Sequence, residues 1–145
     1  MLERNKNRYL IIRQAHKSND DEIIEACFDH KFINHLQGDY HHGGDICIDL
    51  IYYSIKDLAN HKTLELISKN ITLREEDQNY IIYESAIRIN KDIFDWAVEN
   101  LNRNAKDDNG RTVCQKLSES QGKANYYDYQ IESLTNWHIK GTNNG

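Results

Sequence analysis

The chain has no proline, one methionine and three cysteines among its 145 residues. Proline interrupts helix interiors, so its complete absence favours a chain built mainly of helices capped by Asn, Asp and Ser. The cysteines are odd in number, none has CxxC spacing, and each lies in an apolar run: Cys27, Cys47 and Cys114. We therefore expect free, buried thiols in a reducing compartment.

Long apolar runs are also missing. No stretch approaches the roughly 18 apolar residues of a membrane-spanning helix. Residues 9–12 are too short to be the apolar core of a secretion signal. We expect a cytoplasmic protein with no membrane partner, or one in the host cytoplasm if a virus or an intracellular bacterium encodes it.

Positive charge is scarce, since 18 basic residues face 23 acidic ones and the net charge is −5. A general nucleic-acid binder needs clustered Lys and Arg to contact phosphates, so nucleic acid is an unlikely partner. The local exception is the N-terminal segment, with Arg4, Lys6, Arg8, Arg13 and Lys17 against Glu3. A solvated helix face explains this segment most simply, and salt-sensitive nucleic-acid binding is the alternative.

The composition is otherwise that of a globular protein, with 39% hydrophobic and 28% charged residues. Its length fits one domain, which we place at residues 1–139. Residues 140–145 are small and polar, and we expect them to form a flexible tail.

Apolar residues recur at helical spacing along most of the chain. The pattern is clearest at Ile82, Ala86 and Ile89, which fall at i, i+4 and i+7. Similar faces predict further helices near residues 7–17, 23–28, 48–55, 64–67, 92–101, 113–117 and 127–134. Residues 37–45 are rich in glycine and histidine and predict an enlarged loop.

A polar turn over residues 104–112 runs through Gly110 to Thr112, where a new apolar helical pattern begins. We interpret residues 73–80 as an earlier copy of this turn, with a helix signal between the two copies. Turn, helix, break and helix at a period of about 31 to 33 residues are typical of a stacked helical array. The prediction is an all-α solenoid of about four helix-pair units.

The turn over residues 107–112 resembles the D-x-x-G-x-T pattern of the ankyrin repeat family, and residues 104–106 look like that family's N-A-K lead-in. The upstream copy fits less well, because Gln78 and Asn79 straddle the glycine position. No unit has T-P-L-H in full, and Leu117 stands where the family has a small alanine. The resemblance implies an ankyrin-like solenoid with short turns or hairpin fingers, and a non-enzymatic protein-binding module.

The resemblance places the binding surface on the turn tips and the enlarged loop. The residues so assigned are Arg74, Glu76, Gln78 and Tyr80 in one tip, Lys106, Asp108 and Arg111 in the next, and Tyr40, His41 and His42 in the loop. Their alternating charge predicts salt-sensitive recognition of another protein. Self-association is a further expectation, because an array without polar capping repeats can cover its apolar end with a second copy.

Asn, Ile, Lys and Tyr are abundant, which suggests an AT-rich genome. Small ankyrin-like proteins from such genomes are often viral, phage or bacterial effectors or inhibitors that block or recruit a host or defence protein. An immunity protein that neutralises a toxin is a close variant of this interpretation.

The alternative from another class is a metal-dependent hydrolase using the segment 30–45. That segment and its flanks contain several metal-ligand residue types: Asp29, His30, His35, His41, His42, Asp45 and Cys47. Their spacing fits no HExxH pattern, and the chain has no Walker lysine or GxSxG motif. We therefore expect no enzyme activity, no bound metal and no cofactor.

Overall fold

The computed structural model describes residues 2–57, 60–88 and 90–120, with side chains from residue 7 to residue 119 of those ranges. The described residues form eight helices and no strand, so the all-α prediction is confirmed. The helices are α1 (Leu2–Lys17), α2 (Asp21–Cys27), α3 (His30–His41), α4 (Ile46–Asp57), α5 (Lys62–Asn70), α6 (Glu75–Ile87), α7 (Lys91–Asn100) and α8 (Val113–Ser120).

The chain divides into two compact units, Met1–Thr72 and Leu73–Gly145. Unit 1 contains α1 to α5, and unit 2 contains α6 to α8. The single domain over residues 1–139 remains a prediction. The predicted tail, residues 140–145, and the predicted helix at 127–134 lie outside the described residues.

Helices α1 and α2 form an antiparallel hairpin at the start of unit 1. Asn19 adopts a positive φ of 54° in the turn, a conformation that asparagine tolerates better than most residues. Asp20 then caps α2, because its carboxylate accepts a hydrogen bond from the amide of Ile23. Helices α1 and α2 pack against each other, and Ile12 and Ile24 are fully buried.

The predicted loop at residues 37–45 is wrong. Helix α3 continues through most of this stretch to His41, and a tight turn then leads into α4 at Ile46. Phe32, Leu36 and Tyr40 repeat at i, i+4 and i+8, and all three are buried, so packing of this face holds the helix together against the helix-weakening Gly38.

The turn after α3 is compact because Gly44 lies directly against Asp39. A Cβ at position 44 would come within 2.0 Å of the Asp39 carboxylate. The same carboxylate accepts a hydrogen bond from the amide of Cys47 in the first turn of α4. The core of unit 1 is completed by buried side chains of α4 and α5, including Leu50, Ile51, Ile55, Leu64 and Ile67.

In unit 2, α6 and α7 pack against each other as a second helix pair, and α8 contacts α6. The predicted turn at residues 73–80 is wrong, since α6 already begins at Glu75. Glu75, Glu76 and Asp77 occupy the first turn of α6, where negative charge is favoured by the helix dipole. The core residues of this unit include Ile81, Ile82, Ile93, Phe94, Ala97, Val113 and Leu117.

Candidate functional site: a braced hairpin in unit 2

Residues 106–112, which we call the finger, form a short hairpin between α7 and α8. Lys106 and Thr112 pair in an isolated antiparallel bridge, and the amide of Asp107 donates to the carbonyl of Arg111 at 2.9 Å. The turn closes where the Gly110 amide donates to the Asp107 carbonyl. Gly110 has φ of +77°, a conformation that side chains with a Cβ rarely adopt. The glycine in the sequence motif is therefore required by the backbone.

Asp107 stabilises the finger from within. One oxygen of its carboxylate, Oδ1, accepts hydrogen bonds from the amides of Asn109 and Arg111, each at 2.9 Å. These backbone hydrogen bonds favour the ionised form and hold the pKa of Asp107 below its ordinary range, with the positive charge of Lys116 adding to the effect. The turn is thus fixed by a charged acceptor as well as by its glycine.

Thr112 joins the finger to α8 through reciprocal capping bonds. Its hydroxyl accepts from the amide of Gln115 at 3.3 Å, while the side-chain oxygen of Gln115 accepts from the amide of Thr112 at 2.8 Å. This is the capping-box arrangement, and it satisfies two amides that would otherwise have no partner at a helix start. The helix start expected at Thr112 from the sequence is confirmed, with Val113 as the first helical residue.

Asn79 connects the finger to α6 and is fully buried. Its Nδ2 donates to the carbonyls of Ala105 at 2.9 Å and Arg111 at 3.0 Å, one on each side of the hairpin. The side-chain amide therefore supplies both donors to the two carbonyls and links the residue before the finger to its second arm. Its Oδ1 accepts from Lys116 Nζ at 2.8 Å, so the oxygen is satisfied too.

Lys116, on α8, contacts three side chains: Asn79 and Tyr83 of α6 and Asp107 of the finger. Its ammonium contacts Asn79 Oδ1, lies 3.7 Å from Asp107 Oδ2 and stands 4.1 Å from the centre of the Tyr83 ring. The side chain is only 18% exposed. A charged hydrogen bond, an ion pair and a cation–π contact acting on one desolvated group tie α6, α8 and the finger together.

The first turn of α6 supports the finger from a second direction. Glu75 accepts a hydrogen bond from the amide of Lys106 at 2.9 Å. Gln78 accepts from the amide of Asn102 at 2.8 Å and donates to the Leu73 carbonyl at 3.0 Å. These contacts fix the chain that enters the finger.

Glu76 and Asp108, which the sequence assigned to two different turn tips, lie next to each other. The Asp108 carboxyl next to Glu76 raises the pKa of Glu76, with burial and the negative charges of Asp108 and Asp77 adding to the rise. Arg74 offsets part of this negative charge, since its Nε lies 3.6 Å from Glu76 and 3.1 Å from Asp77.

The structure therefore brings six of the sequence-assigned residues to one end of unit 2: Arg74, Glu76, Gln78, Lys106, Asp108 and Arg111. Lys106, Asp108 and Arg111 are exposed, whereas Gln78 is half-buried and engaged with the backbone. Arg111 also pairs with Glu119 of α8, although both side chains are more than half exposed. Such an exposed pair contributes little to stability, so Arg111 remains accessible to a partner.

The other four assigned residues are placed differently from expectation. Tyr80 lies half-buried within α6 rather than at a turn tip. Tyr40 is 3% exposed inside α3, so it packs in the core of unit 1 rather than standing on a loop. His41 and His42 are exposed at the end of α3, and His42 Nδ1 lies 2.7 Å from the Gly38 carbonyl.

The metal-ligand types around residues 30–45 do not converge. Among the residues that the structure describes, no group of three or more His, Cys, Asp or Glu side chains could hold a metal ion. Asp29 instead caps α3 through the amide of Phe32 and pairs with Arg8. Backbone hydrogen bonding lowers the pKa of Asp29. The geometry offers no support to the hydrolase alternative.

Sequence reasoning missed the residues that hold the finger in place, chiefly Asn79, Lys116 and Glu75. A signal for Asn79 was present, because it precedes Ile82 by three residues and Ala86 by seven and so belongs to the buried stripe of α6. A polar residue on such a stripe indicates a buried, hydrogen-bonded side chain.

Comparison with known proteins gives no family assignment: no family model, curated protein or solved structure matches this chain. Within the described ranges, no helix has both the length and the apolar character needed to cross a membrane.

Proposed function

We propose that the chain is a non-enzymatic protein-binding module that recognises its partner through the finger and the adjoining first turn of α6. The observation that carries this proposal is the contrast between a braced backbone and exposed tip side chains. Lys106, Asp108, Asn109 and Arg111 are exposed, while the carbonyls and amides beneath them are bonded to Asn79, Asp107 and Glu75. Rigid presentation lowers the entropy lost on binding.

Recognition would operate through side chains rather than by adding a strand to the hairpin. Most finger amides already donate within the chain: those of Lys106, Asp107, Asn109, Gly110, Arg111 and Thr112. A peptide strand would have to displace these bonds to pair with the backbone. The tip offers two cations and the Glu76–Asp108 pair, so the partner surface would be polar with charges of both signs.

The finger, together with a helix pair before it and a threonine-started helix after it, also supports an ankyrin-like repeat for unit 2. Within that interpretation, the chain would act as a small viral, phage or bacterial inhibitor or effector. Neutralising a toxin would use the same surface.

The test is affinity capture from the source cell with wild type and a tip variant, Lys106→Glu with Asp108→Lys and Arg111→Glu. This variant reverses the exposed charges and leaves Asn79, Asp107, Gly110 and Lys116 untouched. A matched control, Lys91→Glu with Asp95→Lys, reverses an exposed ion pair on α7. We expect one protein to be retained by wild type and control and lost by the tip variant. Equal retention by all three would refute the proposal.

A further inference from the structure

Asn109 is followed by Gly110 at the exposed tip of the finger. Of all the asparagines in the chain, only Asn109 and Asn144 precede a glycine, and Asn144 lies outside the described residues. Because glycine has no Cβ, its backbone nitrogen is open to approach by the side chain of the asparagine before it. An exposed Asn-Gly pair is therefore the context in which an asparagine side chain reacts most readily with its own backbone.

The reaction needs only water and the groups already present at the tip. The Gly110 nitrogen attacks the side-chain carbon Cγ of Asn109, a new N–Cγ bond closes an imide ring, and the side-chain nitrogen leaves with the Gly110 proton as ammonia. Water then opens the ring. Opening at the former side-chain carbonyl gives aspartate, whereas opening at the backbone carbonyl gives isoaspartate, whose main chain runs through Cβ and is one carbon longer.

The closed finger holds the two reacting groups apart. The Gly110 amide, which must lose its proton to react, donates to the Asp107 carbonyl at 3.0 Å. Asn19 is the only described non-glycine residue with a positive φ, so Asp108 and Asn109 have negative φ and this hydrogen-bonded turn is of type I. The third residue of a type I turn has ψ of about 0°, which directs the next nitrogen back towards the first residue and away from its own side chain. Ring closure therefore requires the hydrogen bond between Gly110 and Asp107 to break.

The Asp107 carboxylate adds to this restraint. Its Oδ1 accepts from the amides of Asn109 and Arg111, each at 2.9 Å, so it holds the backbone on both sides of Gly110. Only local opening of these bonds frees the Asn109–Gly110 peptide to rotate. The rate of the reaction then depends on the fraction of chains in which the finger is open.

From the exposed Asn-Gly pair and the hydrogen bonds that restrain it, we propose that Asn109 is a self-modification site gated by opening of the finger. Isoaspartate at this position adds a carboxylate and lengthens the backbone between the two amides that Asp107 Oδ1 binds. The Gly110 and Arg111 amides then no longer both reach Asp107, so the modification opens the finger irreversibly. Only the effect of this change on recognition rests on the binding role proposed for the finger.

The experiment is incubation of the full chain near neutral pH, followed over time by peptide mapping with mass spectrometry. This measurement detects the replacement of the side-chain amide by a carboxylate, and separation of the peptides distinguishes isoaspartate from aspartate. We expect both products at position 109, with isoaspartate in excess, and none at Asn104, an exposed asparagine followed by Ala105. Chains unfolded in guanidinium chloride should convert faster, because no hydrogen bond restrains the tip.

Two variants test whether the finger controls the rate. Asp107→Ala should accelerate conversion of the folded chain about tenfold, because it removes the acceptor of two finger amides. The matched control is Asp108→Ala, whose carboxyl lies beside Glu76, and it should leave the rate unchanged. All three proteins should convert at nearly the same rate when unfolded. The proposal would be overturned by equal rates in folded and unfolded wild type, by an Asp107→Ala rate equal to wild type, or by no product at position 109 when the unfolded chain has converted completely.

Asn109→Asp separates the added charge from the longer backbone. It introduces the carboxylate without the extra carbon, so exchange of the Arg111 amide should stay close to wild type, whereas the purified isoaspartate chain should exchange faster. An isoaspartate chain with wild-type exchange would show that the modification does not open the finger. These measurements need no partner, so a failed affinity capture would refute the proposed binding role and leave this inference standing.

Discussion

The ammonium of Lys116 lies 2.8 Å from the side-chain oxygen of Asn79, a fully buried residue whose side-chain nitrogen donates to the carbonyls of Ala105 and Arg111. This contact joins a buried residue of α6 to a partly exposed residue of α8. Asn79 has both types of side-chain atom satisfied, and the Asp107 carboxylate and the face of the Tyr83 ring lie beside the Lys116 ammonium.

Replacing Asn79 with Ala should destabilise unit 2 by about 2–3 kcal/mol, because the carbonyls of Ala105 and Arg111 lose a donor and Lys116 loses an acceptor. Urea unfolding followed by circular dichroism measures this change. The matched control is Asn100→Ala, which removes one bond from a surface position, Nδ2 to the Trp96 carbonyl. That control should cost less than about 1 kcal/mol. Equal losses would contradict the role assigned to Asn79.

Two glycines should respond to alanine with opposite sign. Gly110→Ala should destabilise the chain by about 1 kcal/mol, since φ of +77° is unfavourable for a residue with a Cβ although no atom would clash with it. Gly38→Ala, in the interior of α3 with open space around the added Cβ, should stabilise by about 0.5–1 kcal/mol. Thermal unfolding of both variants is the measurement. A Gly110→Ala variant as stable as wild type would contradict the finger backbone, and a destabilised Gly38→Ala variant would contradict the helical interior position of Gly38.

The two neighbouring aspartates of the finger should differ in their effect on its backbone, because only Asp107 accepts hydrogen bonds from finger amides. Asp107→Ala removes the acceptor of the Asn109 and Arg111 amides, so hydrogen exchange at those two amides should accelerate. Asp108→Ala should leave both exchange rates nearly unchanged, because its carboxyl contacts Glu76 instead. Amide exchange measured residue by residue by NMR distinguishes the two results. Faster exchange in the Asp108 variant alone would show that Asp108, and not Asp107, supports the finger backbone.

His16 should make unit 1 less stable in mild acid. It is 2% exposed, its Nε2 lies 2.7 Å from the Thr63 hydroxyl, and burial lowers its pKa below the ordinary 6.5, partly offset by Asp21. The unfolded chain therefore binds the proton more readily than the folded chain. The stabilisation is fully present above about pH 6.5 and is lost as the pH falls below it towards the folded pKa.

Urea unfolding of wild type and His16→Gln between about pH 7.5 and 5.5 isolates this residue from the other titrating groups. The difference in stability between the two proteins should change with pH in favour of the variant as acid is added. A difference that stays constant would show that His16 takes up protons equally in both states.

The sequence was most informative where the backbone preference of a residue matched the structure in which that residue is packed. Gly110 and Thr112 specify a turn and a helix start through their own backbone and hydroxyl chemistry, so their roles could be predicted without knowing the neighbours. The helix period was equally clear, because Ile82 and Ala86 of α6 and Ile93 and Ala97 of α7 are buried as their spacing indicates. Ile89, the third residue of the first pattern, lies outside the described residues.

Prediction was wrong where one residue type fits two environments. Asn79 suits a left-handed turn, yet its amide is used as a buried double donor, and the sequence indicated this only through the spacing of Asn79 from Ile82 and Ala86. Gly38 and Gly43 suggested one long loop, but burial of Leu36 and Tyr40 extends α3 between them. The pairing of Glu76 with Asp108 depends on residues separated along the chain and meeting only after α6, α7 and the finger have packed.

Partner contact at the finger tip is tested most directly by site-directed photo-crosslinking. A photoreactive amino acid replaces Asn109 at the tip or, as a control, exposed Glu99 on α7, and each protein is irradiated in source-cell lysate. We expect one dominant adduct from position 109 that is absent from position 99 and disappears when the charges of Lys106, Asp108 and Arg111 are reversed. No adduct from position 109, or the same adducts from both positions, would contradict the proposed binding role of the finger.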